Sequence, residues 1–280
     1  MLTTEQLLQR KNGIGASEVS VLFNLNDYMT PYKLWAIKTG MIEPDDLSDN
    51  DAVWWGCELE DVIAKRYSHE TWETLENLNI TKICPESEYL FATPDRFVSV
   101  KNKLVEIKTA SYNPDKWGEK FTSQVPMAYQ LQCQTQMACC PGYDSVDLVV
   151  FFWQTRGIQI YTVNRDEEMI KSIVNTVNRF WAHHVLANVA PELFNADDVK
   201  LCYPKDNSEF LEATPIEVDS YIKLNNIRKD LKELEANALK YKNDLIVMMG
   251  ANTGITHNGD ILCTYKADKR GSRRFNFKEE

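Results

Sequence analysis

The chain has 280 residues, a formal net charge of -10 and 44% hydrophobic residues. Its seven Trp and twelve Tyr are enough to fill a sizeable core, so the composition excludes a chain that is disordered over most of its length. The negative net charge argues against a protein that coats nucleic acid without specificity. It leaves room for an enzyme with a local basic channel, because charge distribution matters more than the sum.

The sequence gives no sign of a membrane or a secretory route. No apolar run approaches the ~18 residues that a membrane span needs. The N-terminal stretch MLTTEQLLQRKNG lacks the apolar segment of a signal peptide. Seven irregularly spaced cysteines argue for buried free thiols rather than a disulfide framework. We therefore expect a soluble, cytoplasmic protein without membrane contacts.

The predicted elements begin with a short helix over TTEQLLQR, followed by a second helical run from Ser17. A third helix is predicted from Pro31, and Gly40 ends it. After an acidic loop, a strong helix is predicted from about Asp51 to His69. The strand-rich centre that follows includes one helix, around VPMAYQLQCQTQMACC. Its strands are predicted at EYLFAT, RFVSV, LVEIKTA, VDLVVFFW and GIQIYTV.

The C-terminal part begins with a long amphipathic helix. Thr214 is the predicted N-cap, Pro215 the first helical residue and Glu217 the third, which forms a capping box. The helix is predicted to end at Gly250, before a hairpin over THNGDILCTYKA and the basic segment KRGSRRFNFK. Its apolar positions indicate docking on the rest of the chain or on a neighbouring subunit. We expect an α/β domain over 1–204, a mixed central sheet flanked by helices, and a helical C-terminal extension over 205–280.

One group of residues carries the chemistry: Asp95 follows Thr93 and Pro94, and after ten intervening residues comes Glu106-Ile107-Lys108. Within a strand Glu106 and Lys108 share a face, while Ile107 points the other way. If the apolar runs on either side of Asp95 pair as a hairpin, Asp95 and Glu106 converge into a site suited to Mg²⁺. Lys108 could then orient or deprotonate a water, or stabilise charge on a phosphate. The alternative is that these residues are simply the solvent face of a strand.

Glu60 is a second candidate. It lies on a small, apolar face of the predicted helix that starts at Asp51, where an acid is misplaced unless it has a buried partner. We interpret Glu60 as the functional acid of this helix. Glu58, Asp61 and Lys65 lie on the opposite side and are expected to be solvated.

Polar residues also recur in the helix of the central region. Tyr129, Gln132 and Gln136 follow a helical spacing, with Gln134 between them. Such side chains can hydrogen-bond a water or a phosphate without adding charge. An exposed polar face is the alternative.

Taken together, these residues resemble the lambda-exonuclease-type (YqaJ-like) viral recombinase nucleases of the PD-(D/E)xK superfamily. The resemblance covers roughly residues 8–165 and runs through five motifs in order. They are RKNGIGASEV (10–19), WWGCELE (54–60), ATPDRF (92–97), EIK (106–108) and YQLQCQTQM (129–137). One departure is Arg96, which stands where the family's Pro-Asp-Gly motif has glycine.

The resemblance implies a restriction-endonuclease-like core and a role for each matching residue. Asp95, Glu106 and the backbone carbonyl of Ile107 would hold a metal, and Lys108 would be the catalytic lysine. Glu60 would complete the metal site, through a second metal ion or its waters. Two residues on one helix, Tyr129 and Gln132, would position the scissile phosphate and the attacking water. A pocket for a terminal 5′-phosphate would be formed by Arg10, Ser17 and Thr93.

The implied function is a 5′-to-3′ exonuclease on double-stranded DNA that leaves a 3′ single strand for a single-strand annealing protein. The implied cofactor is Mg²⁺, with Mn²⁺ able to substitute and two ions per site, and the implied assembly is a homotrimeric ring. The basic tail could hold the DNA backbone near the site. Two alternatives stay open: a structure-specific or restriction-type endonuclease with the same metal core, and a non-catalytic DNA-binding recombination adaptor. The intact set of Glu60, Asp95, Glu106 and Lys108 argues against the adaptor.

Overall fold

A computed structural model gives the fold and describes residues 9–112, 116–120, 122–268 and 270–277. The chain divides into two compact units, 1–205 and 206–280. A boundary between two separate domains, at residues 204 and 205, stays a prediction. Within the described residues, no helix combines the length and apolar character that crossing a bilayer requires.

The helices follow the predicted order, with additions in the second half of the first unit. They are α1 (Val19–Leu22), α2 (Pro31–Lys38), α3 (Asp51–Thr71), α4 (Met127–Cys139), α5 (Glu167–Phe180), α6 (Ala196–Cys202) and α7 (Pro215–Met249). Short 3-10 turns cover Ala16–Glu18 and Ser99–Lys101, and a π-helical segment, Trp181–Leu186, continues α5.

The strands of the first unit form two sheets. They are β1 (Ile14–Gly15), β2 (Lys82–Cys84), β3 (Ser87–Ala92), β4 (Arg96–Val98), β5 (Lys103–Ala110), β6 (Ser145–Phe152) and β7 (Gly157–Asn164). The larger sheet has the order β4-β5-β6-β7 and the smaller one the order β1-β3-β2. In the larger sheet β5 runs parallel to β6 and antiparallel to β4. The predicted mixed sheet flanked by helices is thus confirmed.

Helices α3 and α4 cover opposite faces of the larger sheet, because strand side chains alternate between faces. On one face, Ile63 and Tyr67 of α3 pack in a cluster with Val105 and Ile107 of β5. On the other, Leu131 and Met137 of α4 pack with Leu104 and its neighbours in β6. The first turns of α3 are more open than predicted, since Val53 is 42% exposed and Cys57 is also exposed.

Two parts of the first unit differ from the sequence prediction. Helix α5 was not predicted, although Asp166 caps it and the apolar residues Ile170, Ile173, Val174 and Val177 are buried. The run predicted as a helix from Ser17 begins as a 3-10 turn and becomes helical only at Val19. The first predicted helix, TTEQLLQR, falls almost entirely on residues 1–8, which lie outside the described residues.

The second unit consists of α7 and a three-stranded antiparallel sheet, β8 (Gly254–His257), β9 (Asp260–Ala267) and β10 (Arg273–Phe277). Thr214 and Glu217 form the predicted capping box of α7. The basic tail contributes a strand: Arg273 donates to the backbone carbonyls of Gly250 and Asn252 at 2.7 and 2.6 Å. These contacts give Arg273 a structural role in this unit. Lys269 and Lys278 of the same tail lie outside the described residues.

Candidate active site

The β4–β5 hairpin brings the first acid to its partners. Arg96 pairs with Val105, so the next register position sets Asp95 against Glu106. The Asp95 carboxylate, through Oδ2, accepts a hydrogen bond of 2.7 Å from the backbone N–H of Ile107. In a strand, the N–H and C=O of one residue point to the same side. The Ile107 carbonyl is therefore directed toward the side of β5 on which Asp95 lies.

Glu106 is buried, only 3% exposed, and is surrounded by donors. Its Oε1 lies 2.5 Å from Gln132 Nε2 and 2.6 Å from Lys108 Nζ. Its Oε2 accepts from the side-chain amide of Gln136. The two glutamines come from α4 and the lysine from β5, so this carboxylate is where helix and strand meet. Gln136 was noted in the sequence only as part of a polar pattern.

The electrostatics of the site follow from this crowding. Burial, and then the nearby Glu106 carboxylate, raise the pKa of Asp95 well above its usual range, and Glu60 adds to the effect. Burial works to lower the pKa of Lys108, but the charges of Glu106 and Asp95 outweigh it and raise that pKa. Lys108 is thus held as an ammonium ion, while Asp95 lies in a region that a further positive charge would stabilise.

Arg96 connects Glu60 to this cluster. Arg96 as a whole residue is only 4% exposed. Its guanidinium donates to Glu60 Oε1 at 2.6 Å and to Asp61 Oδ1 at 2.5 Å. It also donates to the backbone carbonyl of Asp95 at 2.6 Å. The sequence presents Arg96 only as a changed turn residue, whereas the structure buries it as the partner of Glu60. Asp61 is exposed as expected, with 78% of its side chain accessible, and it also pairs with Arg96. The signal was an arginine directly before the apolar pair Phe97-Val98, where a charged side chain needs a partner.

The donor set suits a hard divalent cation, although its side chains now hold one another. Among the described residues, no group of three or more His, Cys, Asp or Glu side chains stands ready to hold a metal ion. The reason is local, since Glu60 is engaged by Arg96 and Glu106 by Lys108 and the two amides. Gln136 Oε1 is buried without a hydrogen-bond partner, an acceptor beside Glu106 that a cation-bound water would satisfy. Two crowded carboxylates and this orphaned acceptor fit a hydrated Mg²⁺ or Mn²⁺.

Tyr129 lies in the first turn of α4 and is partly buried. Its ring centroid is 5.3 Å from that of Trp117. Burial raises the pKa of the Tyr129 hydroxyl, and the Lys108 charge works against that rise. The tyrosine is therefore close enough to Lys108 to respond to its charge.

The three residues expected to bind a 5′-phosphate are only partly brought together. Gly15 pairs with Phe91 in parallel, so the chain beyond each strand, with Ser17 and Thr93, leaves the sheet at the same end. Thr93 shares a hydrogen bond of 2.9 Å with Thr81, and Ser17 is exposed. In the part of the chain that the structure describes, Arg10 forms no hydrogen bond or ion pair with Ser17 or Thr93. Its backbone carbonyl accepts from Lys38 Nζ at 2.6 Å.

The arrangement of the first unit is an exonuclease-type α/β fold. A crystal structure of an alkaline exonuclease, LHK-Exo from Laribacter hongkongensis, is similar with a TM-score of 0.52 and 23% identity, over 67% of this chain and 94% of that one. The same protein in complex with dAMP matches with the same TM-score, identity and coverage.

The sequence comparison defines the family. The YqaJ-like viral recombinase domain matches residues 5–144, half of the chain. The chain therefore belongs to the YqaJ-like viral recombinase family. It is also 26% identical over 252 residues to the uncharacterized protein YqaJ of Bacillus subtilis (strain 168). The aligned region covers 88% of this chain and 77% of that protein.

Proposed function

We propose that this protein is a Mg²⁺-dependent 5′-to-3′ exonuclease that hydrolyses phosphodiester bonds from the ends of double-stranded DNA. The convergence of Asp95, Glu106 and Lys108 at the end of β4 carries the proposal. Two carboxylates and a lysine held as ammonium are the groups that a phosphodiester hydrolase needs, and the exonuclease-type fold supports that chemistry. A protein of similar fold, the alkaline exonuclease LHK-Exo, forms a complex with the nucleotide dAMP.

Each residue has a role in this proposal. Asp95, Glu106 and the carbonyl of Ile107 would hold the cation, and Glu60 would complete the site. A bound divalent cation would supply an activated water and neutralise charge on the phosphate. Lys108, as an ammonium ion, would stabilise the negative charge that builds on the phosphate oxygens.

The amides of α4 act through Glu106. Gln132 and Gln136 both donate to this carboxylate and so fix its rotamer. Tyr129 would orient the scissile phosphate or the attacking water, as the resemblance implies. A carboxylate that is already held in place needs little reorganisation when substrate arrives.

The polarity and the partners are finer parts of the same proposal. Arg10, Ser17 and Thr93 would recognise a terminal 5′-phosphate, because an arginine fork and two hydroxyls suit a phosphate dianion. The product would be a 3′ single strand for an annealing protein. Use of Mn²⁺ in place of Mg²⁺, two ions per site and a three-subunit ring rest on the family resemblance.

One assay tests the proposal. Linear duplex DNA labelled at either end, with and without a 5′-phosphate, is incubated beside nicked and closed circles, with Mg²⁺ or with EDTA. We expect Mg²⁺-dependent release of label from the 5′ end of phosphorylated linear DNA and no loss of closed circles. Cutting of closed circles would instead indicate an endonuclease, and binding without any product would indicate a DNA-binding adaptor.

Matched variants on α3 and β5 make the assay specific. Glu60→Gln and Glu106→Gln are expected to abolish cleavage. Glu58→Gln, on the same helix as Glu60 but exposed, is expected to retain it. If Glu106→Gln were as active as the unchanged protein, the proposed active site would be wrong.

A further inference from the structure

Helix α7 carries an apolar stripe with the spacing of a coiled coil. Its members alternate at intervals of three and four residues: Leu224, Ile227, Leu231, Leu234, Ala238 and Tyr241. A strict three-four repeat keeps one seam facing a partner helix. All six are exposed, with Leu231 at 53% and Leu234 at 64%. In the second unit this seam, residues 224–241, is unpartnered.

The sheet of the second unit leaves the seam open. Its contact with α7 includes Lys242, whose ammonium lies 5.6 Å from the ring centroid of Phe275. Buried residues of α7 occur at its C-terminal end, at Met249. The stripe from Leu224 to Tyr241 therefore lies before the region in which the helix packs against its own sheet.

Charges beside the seam decide what can cover it. Taking Leu224 as position a, the flanking e positions are Arg228, Glu235 and Lys242, and the flanking g positions are Lys223, Asp230, Asn237 and Asp244. Two copies in parallel and in register would set Lys223 against Arg228 and Asp230 against Glu235. Both contacts join like charges, so the parallel pair is disfavoured.

An antiparallel pair centred between residues 232 and 233 reverses this outcome. Leu231 then faces Leu234 at the centre, Ile227 faces the small Ala238, and Leu224 faces Tyr241 at the ends of the seam. The flanks place Arg228 against Glu235 and Lys223 against Asp244. Twofold symmetry repeats each of these opposite-charge contacts.

The neighbouring antiparallel registers do not share this complementarity. A shift by one heptad in one direction sets Glu235 against its own counterpart, and a shift in the other direction does the same for Asp230. Within one helix, Arg228 and Glu235 are seven residues apart, about 10 Å along the axis, too far to pair with each other. They form no ion pair in the described part of the chain.

We propose that α7 binds a second copy of this chain as an antiparallel coiled coil, with Leu231 and Leu234 at its centre. The pairing joins chains through the second unit and does not depend on the proposed nuclease function. It predicts an assembly with an even number of chains: two for a pair of single chains, or six where two three-subunit rings of the proposed function pair through α7.

Sedimentation equilibrium of the full-length chain tests the pairing. The unchanged protein is expected to contain an even number of chains. Glu235→Arg is expected to raise the dissociation constant by about tenfold or more, because two attractive contacts become repulsive, and to halve the mass at intermediate concentration. Arg228→Glu should have the same effect. The double variant Arg228→Glu/Glu235→Arg should regain association, and the two single variants should associate with each other when mixed.

Glu233→Arg is the matched control, because residue 233 points away from the seam while the change in charge is identical. Circular dichroism checks that each variant keeps its helix content. A wild-type mass of one chain or of an odd number would overturn the proposal. So would equal weakening by Glu233→Arg and Glu235→Arg. Tighter association of Arg228→Glu would indicate the parallel arrangement instead and would equally contradict the antiparallel register.

Discussion

Arg96 ties Glu60 to Asp95: its Nη1 lies 2.6 Å from Glu60 Oε1 and 2.6 Å from the backbone carbonyl of Asp95. Its second nitrogen, Nη2, holds Asp61. Glu60 of α3 and Asp95, which directly precedes β4, are 35 residues apart in sequence and are joined by this one buried guanidinium. In the proposed function the guanidinium competes with the cation for the Glu60 carboxylate.

Replacing Arg96 should strengthen cation binding. In Arg96→Met the carboxylate of Glu60 is released and a positive charge that repels a divalent cation is lost, so calorimetric titration with Mn²⁺ should give a lower dissociation constant. The free energy of unfolding should fall by about 1–2 kcal/mol, a modest loss since the Glu60 side chain is 37% exposed. Arg66→Met, which removes a surface pair with Glu70 on the same helix, is the control. Unchanged Mn²⁺ affinity would show that Arg96 does not compete with the cation.

Lys108 is expected to act by charge. Because Glu106 and Asp95 raise the pKa of Lys108, it keeps its proton at neutral pH. Lys108→Ala should lower the rate of Mg²⁺-dependent cleavage by about 10²-fold or more, while the melting curve shows a folded protein. Lys65→Ala, a change of an exposed lysine on α3, should keep the rate. A Lys108→Ala enzyme at full rate would exclude the lysine from the reaction.

The Asp95 carboxyl is expected to lower the stability of the folded protein at neutral pH while it serves the proposed reaction. Its pKa is raised by burial and by Glu106, so the folded protein binds this proton more tightly than the unfolded chain does. The stabilising effect of that proton is fully present below the usual pKa of Asp and is lost as the pH rises from there through the raised pKa, so at neutral pH this carboxyl disfavours the folded state. In EDTA at pH 7, Asp95→Asn should therefore raise Tm, and with Mg²⁺ it should not cleave DNA. A lower Tm in EDTA would contradict the electrostatic account of this site.

Arg10 is expected to select the DNA end. Arg10→Ala should reduce the preference for 5′-phosphorylated over unphosphorylated linear duplex, because the guanidinium would no longer pair with the phosphate dianion. The ratio of the two kcat/KM values measures this preference. Lys11→Ala, at the neighbouring exposed position, should keep it. An equal loss on both substrates would show that Arg10 does not contact the terminal phosphate.

A buried polar network at the far end of the sheet should set part of the stability. The Tyr67 hydroxyl lies 2.6 Å from both Glu73 Oε2 and Asp147 Oδ2, and Lys103 lies 2.8 Å from the same Asp147 oxygen. Glu73→Gln should lower the free energy of unfolding by about 3 kcal/mol, because it leaves buried charges without their partner. Urea denaturation measures the loss. Glu167→Gln, in a pair with Arg165 that is 72% exposed on the acid side, should cost less than about 1 kcal/mol.

The same network gives a pH dependence. Burial alone would raise the pKa of Glu73, but Lys101, Tyr67 and Lys103 together lower it below its ordinary value of 4.5. The stability that Glu73 contributes is therefore present above pH 4.5 and is lost as the pH falls through the lowered pKa. Glu73→Gln should flatten this acid limb of the stability curve. An unchanged acid limb would mean that other carboxylates control it.

Local rules predicted the elements well where their signals lie close together in sequence. Thr214, Pro215, Glu217 and Gly250 bound α7 at the residues expected from capping alone. The two-residue period of Glu106-Ile107-Lys108 predicted which side chains share a face. Helix α5 was missed although its signals are of the same kind: Asp166 caps it and its apolar residues recur at three and four.

The sequence by itself determined what needs only neighbouring residues: helix ends, strand faces and the hairpin that sets Asp95 against Glu106. Only the tertiary structure decided that Arg96 reaches Glu60 and Asp61, and that Gln136 occupies the second oxygen of Glu106. The physical reason is that α3 and α4 pack on opposite faces of the sheet. Which polar side chains then meet at its edge depends on long-range packing, which no local periodicity encodes.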